Sequence, residues 1–359
     1  MSDRRRPYFV LPIRQGGLAR WNMPPASEVA SAVVSGSNGE IAAIETIRRG
    51  LPQPPQGETW IGDDAAVVAA PAGAFLLLAA DAVVEGVHFD LELVDAADVG
   101  WKALAVNVSD IAAMGGRPLH ALVTVVGASA SMIEGLVRGL AEAAAAYECS
   151  IVGGDLSSGP CLVVSVAITG TAGDREAVLR CHARPGDVLF VTGALGRSAA
   201  GLRTLRAQAG RGATAPADLS GMAQPAGSPA ASPELVAAYR RPVARVAEGV
   251  AASASGATAM IDISDGLGID IDRLATASQV GVVLDAVPTA EGATRDEALA
   301  GGEDYELVFA AGDADAVARA FAAAKLRPPI RIGACVADPT LRLIGAELLP
   351  ASGWEHGLR

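Results

Sequence analysis

Residues 98–126 read DVGWKALAVNVSDIAAMGGRPLHALVTVV, and this stretch determines the fold class that we expect. Its first part, from Asp98 to Met114, carries apolar residues at helical spacing. The segment Gly115-Gly116-Arg117-Pro118 then ends the helix, because glycine and proline do not continue it. The apolar run Leu119–Val126 follows at once and predicts a strand. A helix that leads directly into a strand indicates an α/β or α+β domain.

The same alternation continues on both sides of this stretch. Towards the N-terminus we predict a helix over residues 39–47, followed by a hairpin whose strands are residues 65–70 and 74–80. Towards the C-terminus the pattern predicts further helices, over 132–147, 198–206 and 267–277, and further strands, over 150–152, 161–169, 188–192 and 259–263. The fold class expected is therefore α/β (α+β) in two halves.

Composition shifts divide the chain into an extension, two domains and an insertion. Residues 1–38 are rich in Pro, Ser and Gly with little periodicity, which is typical of an extension. We predict an N-terminal domain over 39–172 and a C-terminal α/β domain over 173–359. Residues 207–232, rich in Gly, Ala, Pro and Ser, are predicted to be a surface insertion.

Overall charge and cysteine usage exclude several classes of protein. The chain has 359 residues, 51% of them hydrophobic, and a net charge of −12. An acidic protein is a poor partner for nucleic acid, because binding the phosphate backbone needs a basic surface. No uninterrupted apolar run is long enough to predict a membrane span. The four cysteines stand singly with no CxxC pair, so we expect a cytoplasmic protein with reduced thiols.

Acidic residues recur at the ends of apolar runs, beside glycine or a serine. The six segments are Ile61-Gly62-Asp63-Asp64, Asp81, Asn107-Val108-Ser109-Asp110, Gly153-Gly154-Asp155, Asp262-Ile263-Ser264-Asp265-Gly266 and Gly301-Gly302-Glu303-Asp304. Carboxylates at strand ends, next to residues that allow close approach of the backbone, are suited to holding hard divalent cations against phosphates. Together the six segments predict a site with several magnesium ions that binds phosphorylated ligands.

Each segment alone also has an ordinary structural explanation. Ser264 or Asp265 could cap the following helix, Asp110 could be a polar position on a half-buried helix, and Gly153-Gly154-Asp155 could be a tight turn. Gly193-Ala194-Leu195-Gly196 could cradle a phosphate on backbone amides, but a short pair of glycines is weak evidence. No Gly-Lys pair occurs in the chain, which excludes a P-loop, so any nucleotide is held in another way.

Taken together, the segments resemble one family. Gly62-Asp63-Asp64-Ala65-Ala66, residues 81–89, 101–115 and 153–155, Ile263-Ser264-Asp265-Gly266-Leu267 and residues 301–307 stand in the order and spacing typical of the thiamine-monophosphate kinases. The resemblance runs from about Gly39 to Trp354. This family is related to aminoimidazole ribonucleotide synthetase, selenophosphate synthetase and a hydrogenase maturation factor. The resemblance implies two α/β domains, with the N-terminal sheet pairing across a homodimer.

The resemblance also implies an activity and a set of site residues. The activity is magnesium-dependent transfer of the γ-phosphoryl group of ATP to thiamine monophosphate, giving thiamine diphosphate and ADP. The implied metal ligands are Asp64, Asp81, Asp110, Asp155, Asp262 and Asp265. The implied ATP contacts are Gly154, Asp155, Arg180 and Ser264, and the implied contacts to thiamine monophosphate are His88, Glu303 and Trp354. We assign catalytic roles to Asp110, Asp155, Asp265 and Arg180.

Two departures from the family pattern and two alternatives remain at this point. Ala79-Ala80 stands where a hydroxyl residue usually precedes the aspartate matching Asp81, and Gly357 replaces the usual aromatic residue near Trp354. Another synthetase of the same superfamily is one alternative, although no Cys or Lys precedes Lys102 as a selenophosphate synthetase would require. A non-catalytic nucleotide or metal sensor is the other. Because phosphoryl transfer depends on positioning and electrostatics, we expect direct in-line transfer without a phosphoenzyme.

Overall fold

The computed structural model describes residues 46–53, 55, 76–210 and 232–354. All of them belong to one compact unit, residues 43–359. Several predictions fall outside these residues: most of the helix over 39–47, the first strand of the hairpin over 65–70, and Asp64. Most of the insertion over 207–232 also lies outside them.

The first half contains a four-stranded sheet and two long helices. Its elements are β1 (Leu76–Val84), α1 (Ala96–Ala113), β2 (Arg117–Val126), α2 (Ala130–Tyr147), β3 (Ser150–Ser157) and β4 (Val163–Thr171). The strand order is β1-β4-β2-β3, with β4 antiparallel to both its neighbours and β2 parallel to β3. Helix α1 packs on this sheet and against α2. The helix and strand predicted from residues 98–126 are therefore confirmed.

The second half is built around a seven-stranded, mostly antiparallel sheet. Its strands are β5 (Val188–Val191), β6 (Ala257–Asp262), β7 (Gly281–Leu284), β8 (Leu307–Ala311), β9 (Ile330–Val336), β10 (Arg342–Ile344) and β11 (Glu347–Leu348). Its helices are α3 (Arg197–Gln208), α4 (Pro233–Arg240), α5 (Val246–Ala254), α6 (Leu267–Ser278), α7 (Arg295–Ala300) and α8 (Ala314–Ala323). The strand order is β11-β10-β7-β9-β5-β8-β6. The mixed α/β class is confirmed, and the antiparallel pairing makes it α+β.

Helix α1 contacts elements of both halves and is buried along nearly its whole length. Its C-terminal residues Ala112 and Ala113 join a core cluster that also contains Phe309 and Ala252 from the second half. A Cβ on Gly249 of α5 would lie 2.2 Å from the carbonyl oxygen of Ala112, so glycine is required for this close helix contact. The polar end of α1, which carries Ser109 and Asp110, is thereby held against the second half.

Two local predictions were wrong. Asp81 was expected to close a strand, but β1 continues to Val84 and Asp81 pairs in register with Val166 in its middle. Gly153-Gly154-Asp155 was considered as a tight turn, but these residues lie inside β3. A Cβ on Gly154 would lie 1.8 Å from the carbonyl oxygen of Val123, so close packing against β2 explains a glycine in a strand.

Candidate active site

Four of the predicted metal ligands come together where the two halves meet. Asp81 lies on β1, Asp110 on the last turn of α1, Asp262 at the end of β6, and Asp265 in the loop before α6. The charges of Asp262 and Asp81 both act on Asp110, and those of Asp81 and Asp265 both act on Asp262. The structure thus gathers carboxylates from both sheets into one cluster, which we call the acidic cluster.

Asp110 is the most strongly perturbed member of the acidic cluster. Burial, and then the charges of Asp262 and Asp81, raise its pKa from the ordinary 3.8 to about 8, while the guanidinium of Arg180 acts in the opposite direction. Like charges held this close repel one another unless a cation or a proton offsets them. Perturbation by burial together with specific charged partners is typical of functional sites.

Asp262 is buried, and it is held by a residue of the other half. Ser109 Oγ donates a 2.7 Å hydrogen bond to Asp262 Oδ2. Burial raises the pKa of Asp262 to about 6, although the bond from Ser109 lowers it. Because α1 supplies the donor and β6 the acceptor, this bond fixes the two halves of the acidic cluster relative to each other.

The loop before α6 is not capped by the residues that we considered for that role. The N-cap of α6 is Gly266, and the backbone amides of Asp265 and Gly266 donate to Oδ2 of Asp270 at 3.0 and 3.1 Å. Asp270 therefore supplies the acceptor that Ser264 or Asp265 would have supplied. Arg273 Nη1 donates to carboxylate oxygens of Asp265 and Asp270, which places one fixed positive charge beside Asp265.

Asn107 fastens β1 to α1 at the acidic cluster. Its Oδ1 accepts a 2.8 Å bond from the backbone amide of Asp81, and its Nδ2 donates to the carbonyl oxygen of Ala103. Asn107 is wholly buried, so both of its polar groups need such partners. The position of Asp81 next to Asp110 therefore follows from this side chain, whose role the sequence motif alone did not reveal.

The segment from Gly302 to Tyr305 adjoins the acidic cluster with a strained backbone. Gly302, Glu303 and Tyr305 have φ values of +61°, +56° and +50°. The amide of Glu303 donates to the carbonyl oxygen of Ser264 at 2.7 Å, and that of Tyr305 donates to Ile263 at 2.9 Å. Burial, and then the charges of Glu303 and the acidic cluster, raise the pKa of Tyr305 well above its usual range. Non-glycine residues held in the left-handed region often mark ligand sites.

The three predicted contacts to thiamine monophosphate lie around this segment. Trp354 is half-buried, and its amide donates to the carbonyl oxygen of Asp265 at 2.9 Å. Glu303 and His88 are joined through Lys102, whose Nζ donates to both carboxylate oxygens of Glu303 and to the backbone carbonyl of His88. The Nδ1 atom of His88 accepts from the amide of Val84 at 3.1 Å. Trp354 and Glu303 thus have backbone bonds to the loop that bears Asp265, and His88 is joined to Glu303 through Lys102.

Asp304 had no assigned role, and the structure provides one. Its carboxylate accepts hydrogen bonds from the amides of Gly196, at 2.6 Å, and Ser198, at 3.2 Å, at the start of α3. Burial raises the pKa of Asp304 to about 6, while these amides act to lower it. The amides of Gly193-Ala194-Leu195-Gly196 were a weak candidate for holding a phosphate, and Asp304 occupies this helix terminus instead.

The remaining predicted residues are placed differently. Arg180 is exposed, yet its charge acts on Asp110, so it lies beside the acidic cluster. Asp155 and Gly154 lie on β3, separated from β1 by the two strands β4 and β2. Asp155 Oδ2 accepts from Ser157 Oγ at 3.1 Å. The structure does not bring Asp155 into contact with the acidic cluster.

The donor set of the acidic cluster suits magnesium. Within the ranges that the structure describes, no three His, Cys, Asp or Glu side chains form a cage that could hold a metal ion by itself. Mg²⁺ rarely uses such cages: it keeps several waters and binds one or two carboxylates together with the phosphates of a substrate. An open group of carboxylate oxygens, in which Asp110 is crowded by like charges, therefore fits this ion.

Comparison with known proteins agrees with this arrangement. The family model of the AIR synthase related protein, N-terminal domain, matches residues 62–172, and that of the C-terminal domain matches residues 184–346. A thiamine-monophosphate kinase from Bacillus subtilis (strain 168) is 36% identical over 262 residues, which are 70% of this chain and 76% of that relative.

Two solved structures have the same fold. A thiamine-monophosphate kinase from Stenotrophomonas maltophilia K279a is 33% identical, with a TM-score of 0.68 over 85% of this chain and 96% of that one. AaThiL, solved in complex with AMPPCP and TMP, is 30% identical, with a TM-score of 0.65 over 80% of this chain and 89% of that one.

The matched pair of domains defines the class of this protein, that of the AIR synthase related proteins. Within that class, the chain belongs to the thiamine-monophosphate kinase family. The resemblance inferred from the acidic segments is confirmed. Among the described residues, no helix is both long enough and apolar enough to cross a membrane.

Proposed function

We propose that this chain transfers the γ-phosphoryl group of ATP to thiamine monophosphate, giving thiamine diphosphate and ADP. The observation that carries the proposal is the acidic cluster, which lies directly beside the segment bearing Glu303 and beside Trp354. Binding of AMPPCP and TMP by AaThiL, which covers 80% of this chain, supports the same pair of ligands.

Asp81, Asp110, Asp262 and Asp265 would hold magnesium. The family resemblance implies Asp64 and Asp155 as further ligands, although Asp155 lies on β3, separated from β1 by two strands. When bound, these ions neutralise the phosphate oxygens of both substrates. The acidic cluster would otherwise repel those oxygens, because phosphate and carboxylate oxygens carry charges of the same sign. Arg180 is the exposed cation that acts on Asp110, and it would contact ATP together with Gly154, Asp155 and Ser264.

On the acceptor side, the chain offers groups that fit a phosphorylated thiazolium cation. Trp354 presents an aromatic face, which attracts a cation, and Glu303 presents a carboxylate. His88 completes this group, because Lys102 donates hydrogen bonds both to its backbone carbonyl oxygen and to the Glu303 carboxylate. We call the group of His88, Glu303 and Trp354 the acceptor pocket.

The transfer is direct and in line. An oxygen of the acceptor phosphate bonds to the γ-phosphorus while the bond to the β,γ-bridging oxygen breaks, and ADP leaves. The acceptor phosphate has a second pKa of about 6, so it is mostly ionised at neutral pH and needs no strong general base. The chain's contribution is to position two anions and to offset their repulsion. Trapping a covalently phosphorylated protein during turnover would contradict this step.

The protein acts as a homodimer through its first sheet. One face of that sheet packs on α1, while the other exposes Leu78 and Leu122, which are 75% and 47% accessible. Ala167 pairs in register with both Ala80 and Leu122, so the exposed apolar positions adjoin across the sheet. Such patches usually mark an interface, and a second copy can cover this one by two-fold symmetry.

We also place the protein in the cytoplasm and keep the division into domains at residues 172 and 173. The four cysteines are all free thiols, which agrees with a reducing compartment. The first sheet ends at Thr171 and the second begins at Val188, so the proposed boundary falls between the sheets.

The activity is tested by measuring ADP formation from ATP and magnesium with several acceptors. Thiamine monophosphate should be the preferred acceptor, and its product should be identified as thiamine diphosphate by chromatography. Thiamine, aminoimidazole precursors and selenide are the comparison acceptors. Turnover with one of these, and none with thiamine monophosphate, would contradict the proposal.

A further inference from the structure

Lys102 joins two members of the acceptor pocket, Glu303 and His88, yet no role follows from its place in the motif. It is one of two lysines in the chain and is only 2% exposed. Its Nζ donates to Glu303 Oε1 at 3.1 Å, to Glu303 Oε2 at 3.0 Å and to the carbonyl oxygen of His88 at 3.1 Å. The ring of Tyr239 lies 4.2 Å from the same nitrogen. The ammonium group has three donors, and these acceptors can satisfy all of them.

A buried ion pair of this kind needs an explanation other than stability. Removing two charges from water is costly, and well-packed apolar residues often replace such a pair without loss of stability. Lys102 is on α1 in the first half and Glu303 is 201 residues away in the second. The pair therefore determines where the Glu303 carboxylate lies relative to α1, which also carries Ser109 and Asp110.

The backbone around Glu303 points to the same role. Glu303 and Tyr305 both have positive φ values, at +56° and +50°, which cost free energy for residues other than glycine. The amide of Glu303 is tied to Ser264 of the loop that bears Asp265. Glu303 is thus held at two points: its backbone amide bonds to Ser264, and its carboxylate bonds to Lys102.

We propose that Lys102 is a positioning residue for thiamine monophosphate, acting through the carboxylate of Glu303. A carboxylate has about four lone-pair positions, and Lys102 uses two of them. The Glu303 side chain is still 23% exposed, so the other positions can face a cationic ligand. This inference rests on the proposed function, because the ligand it positions is the proposed acceptor.

The test compares Lys102→Met with a matched control, Lys325→Met, which removes the other lysine from an exposed position. In Lys102→Met, KM for thiamine monophosphate should rise roughly 10- to 100-fold, the range typical of losing a residue that orients a metal ligand. KM for ATP should stay within about twofold, since no ATP contact is removed. Lys325→Met should change neither constant. Calorimetric titration with thiamine monophosphate in the absence of ATP should show the same loss of affinity.

A double variant separates positioning from a general effect on the fold. Glu303→Gln combined with Lys102→Met removes both charges, so no unpaired carboxylate is left buried. If Lys102 acts through Glu303, the double variant should have a KM for thiamine monophosphate within about threefold of that of Glu303→Gln alone. The comparison of the double variant with Glu303→Gln tests the proposal even if Lys102→Met alone does not fold.

Three results would overturn the proposal. The first is a KM for thiamine monophosphate that is unchanged or lower in Lys102→Met. The second is an equal rise of both KM values. The third is a double variant whose KM for thiamine monophosphate is much higher than that of Glu303→Gln, or that fails to fold while Glu303→Gln folds. Lys102 would then be a structural residue. Failure of the proposed function is distinct, because the unmodified protein would then not turn over thiamine monophosphate.

Discussion

Replacing Asp110 by asparagine should stabilise the metal-free protein while removing most of its activity. Burial and the charges of Asp262 and Asp81 raise the pKa of Asp110 from 3.8 to about 8. Each pKa unit corresponds to about 1.4 kcal/mol, so at pH 7 this carboxyl group destabilises the metal-free fold by on the order of 4 kcal/mol. Asparagine has nearly the same shape without the charge. Its amide must find hydrogen-bond partners, which reduces the expected net gain to about 1–3 kcal/mol.

The sign of the pH dependence follows from the direction of the shift. A raised pKa means that the folded protein binds more protons than the unfolded chain between pH 3.8 and about 8. The stability of the unmodified metal-free protein should therefore fall as pH rises through this window. Asp110→Asn lacks this contribution, so its advantage should be small at the acidic end and largest near pH 8.

The assay is thermal unfolding followed by circular dichroism, with EDTA or with magnesium, across this pH window. In EDTA at the alkaline end, Asp110→Asn should melt several degrees above the unmodified protein, whereas magnesium should stabilise the unmodified protein more. Activity of the variant should fall by at least about 100-fold, because an electrostatic contact to the reacting groups is lost. Asp98→Asn is the matched control on the same helix: Asp98 accepts a 2.7 Å bond from Arg241, so its loss should destabilise the protein.

An Asp110→Asn protein that melts below the unmodified one in EDTA at alkaline pH would show that Asp110 does not destabilise the metal-free protein. Asp110 would then be a satisfied structural carboxylate and not a crowded one. Equal stabilisation of both proteins by magnesium would refute the assignment of Asp110 as a metal ligand.

Three further predictions concern other parts of the molecule. Burial raises the pKa of Cys149 and Cys335 to about 12, so at neutral pH a thiol reagent should modify exposed Cys181 well before either; prior modification of Cys149 would contradict this. Leu78→Arg should convert the proposed homodimer to monomers in sedimentation experiments, because it places a charge on the exposed apolar face, and an unchanged mass would contradict the proposed interface. Asp304→Ala should cost about 1–2 kcal/mol in urea unfolding, since it removes the acceptor for the amides that begin α3; an unchanged midpoint would show that the bonds contribute nothing.

The predictable part of the fold is the part that depends on local pattern. The helix and strand within residues 98–126 were predicted to within a few residues, because their apolar spacing and the intervening glycines act over short distances. Asp81 and Asp155 were misjudged for a different reason. Both lie inside strands, and an apolar run broken by a carboxylate looks like a strand end.

The candidate site could be predicted as a set of segments but not as a geometry. Contacts such as Ser109 to Asp262 and Lys102 to Glu303 join residues more than 150 positions apart, and no local pattern encodes them. The separation of Asp155 from Asp81 depends on the strand order β1-β4-β2-β3, which sequence periodicity does not specify. A lysine inside an apolar helix was the one local signal for Lys102, since such a residue is rarely buried without a partner.

The most direct test of the central claim is transfer of the label from [γ-³²P]ATP to thiamine monophosphate, with and without magnesium. We expect labelled thiamine diphosphate only when magnesium is present, almost none with Asp110→Asn, and no labelled protein at any time. Labelled thiamine diphosphate formed in excess EDTA, or at the full rate by Asp110→Asn, would contradict the claim that the acidic cluster forms the phosphoryl-transfer site.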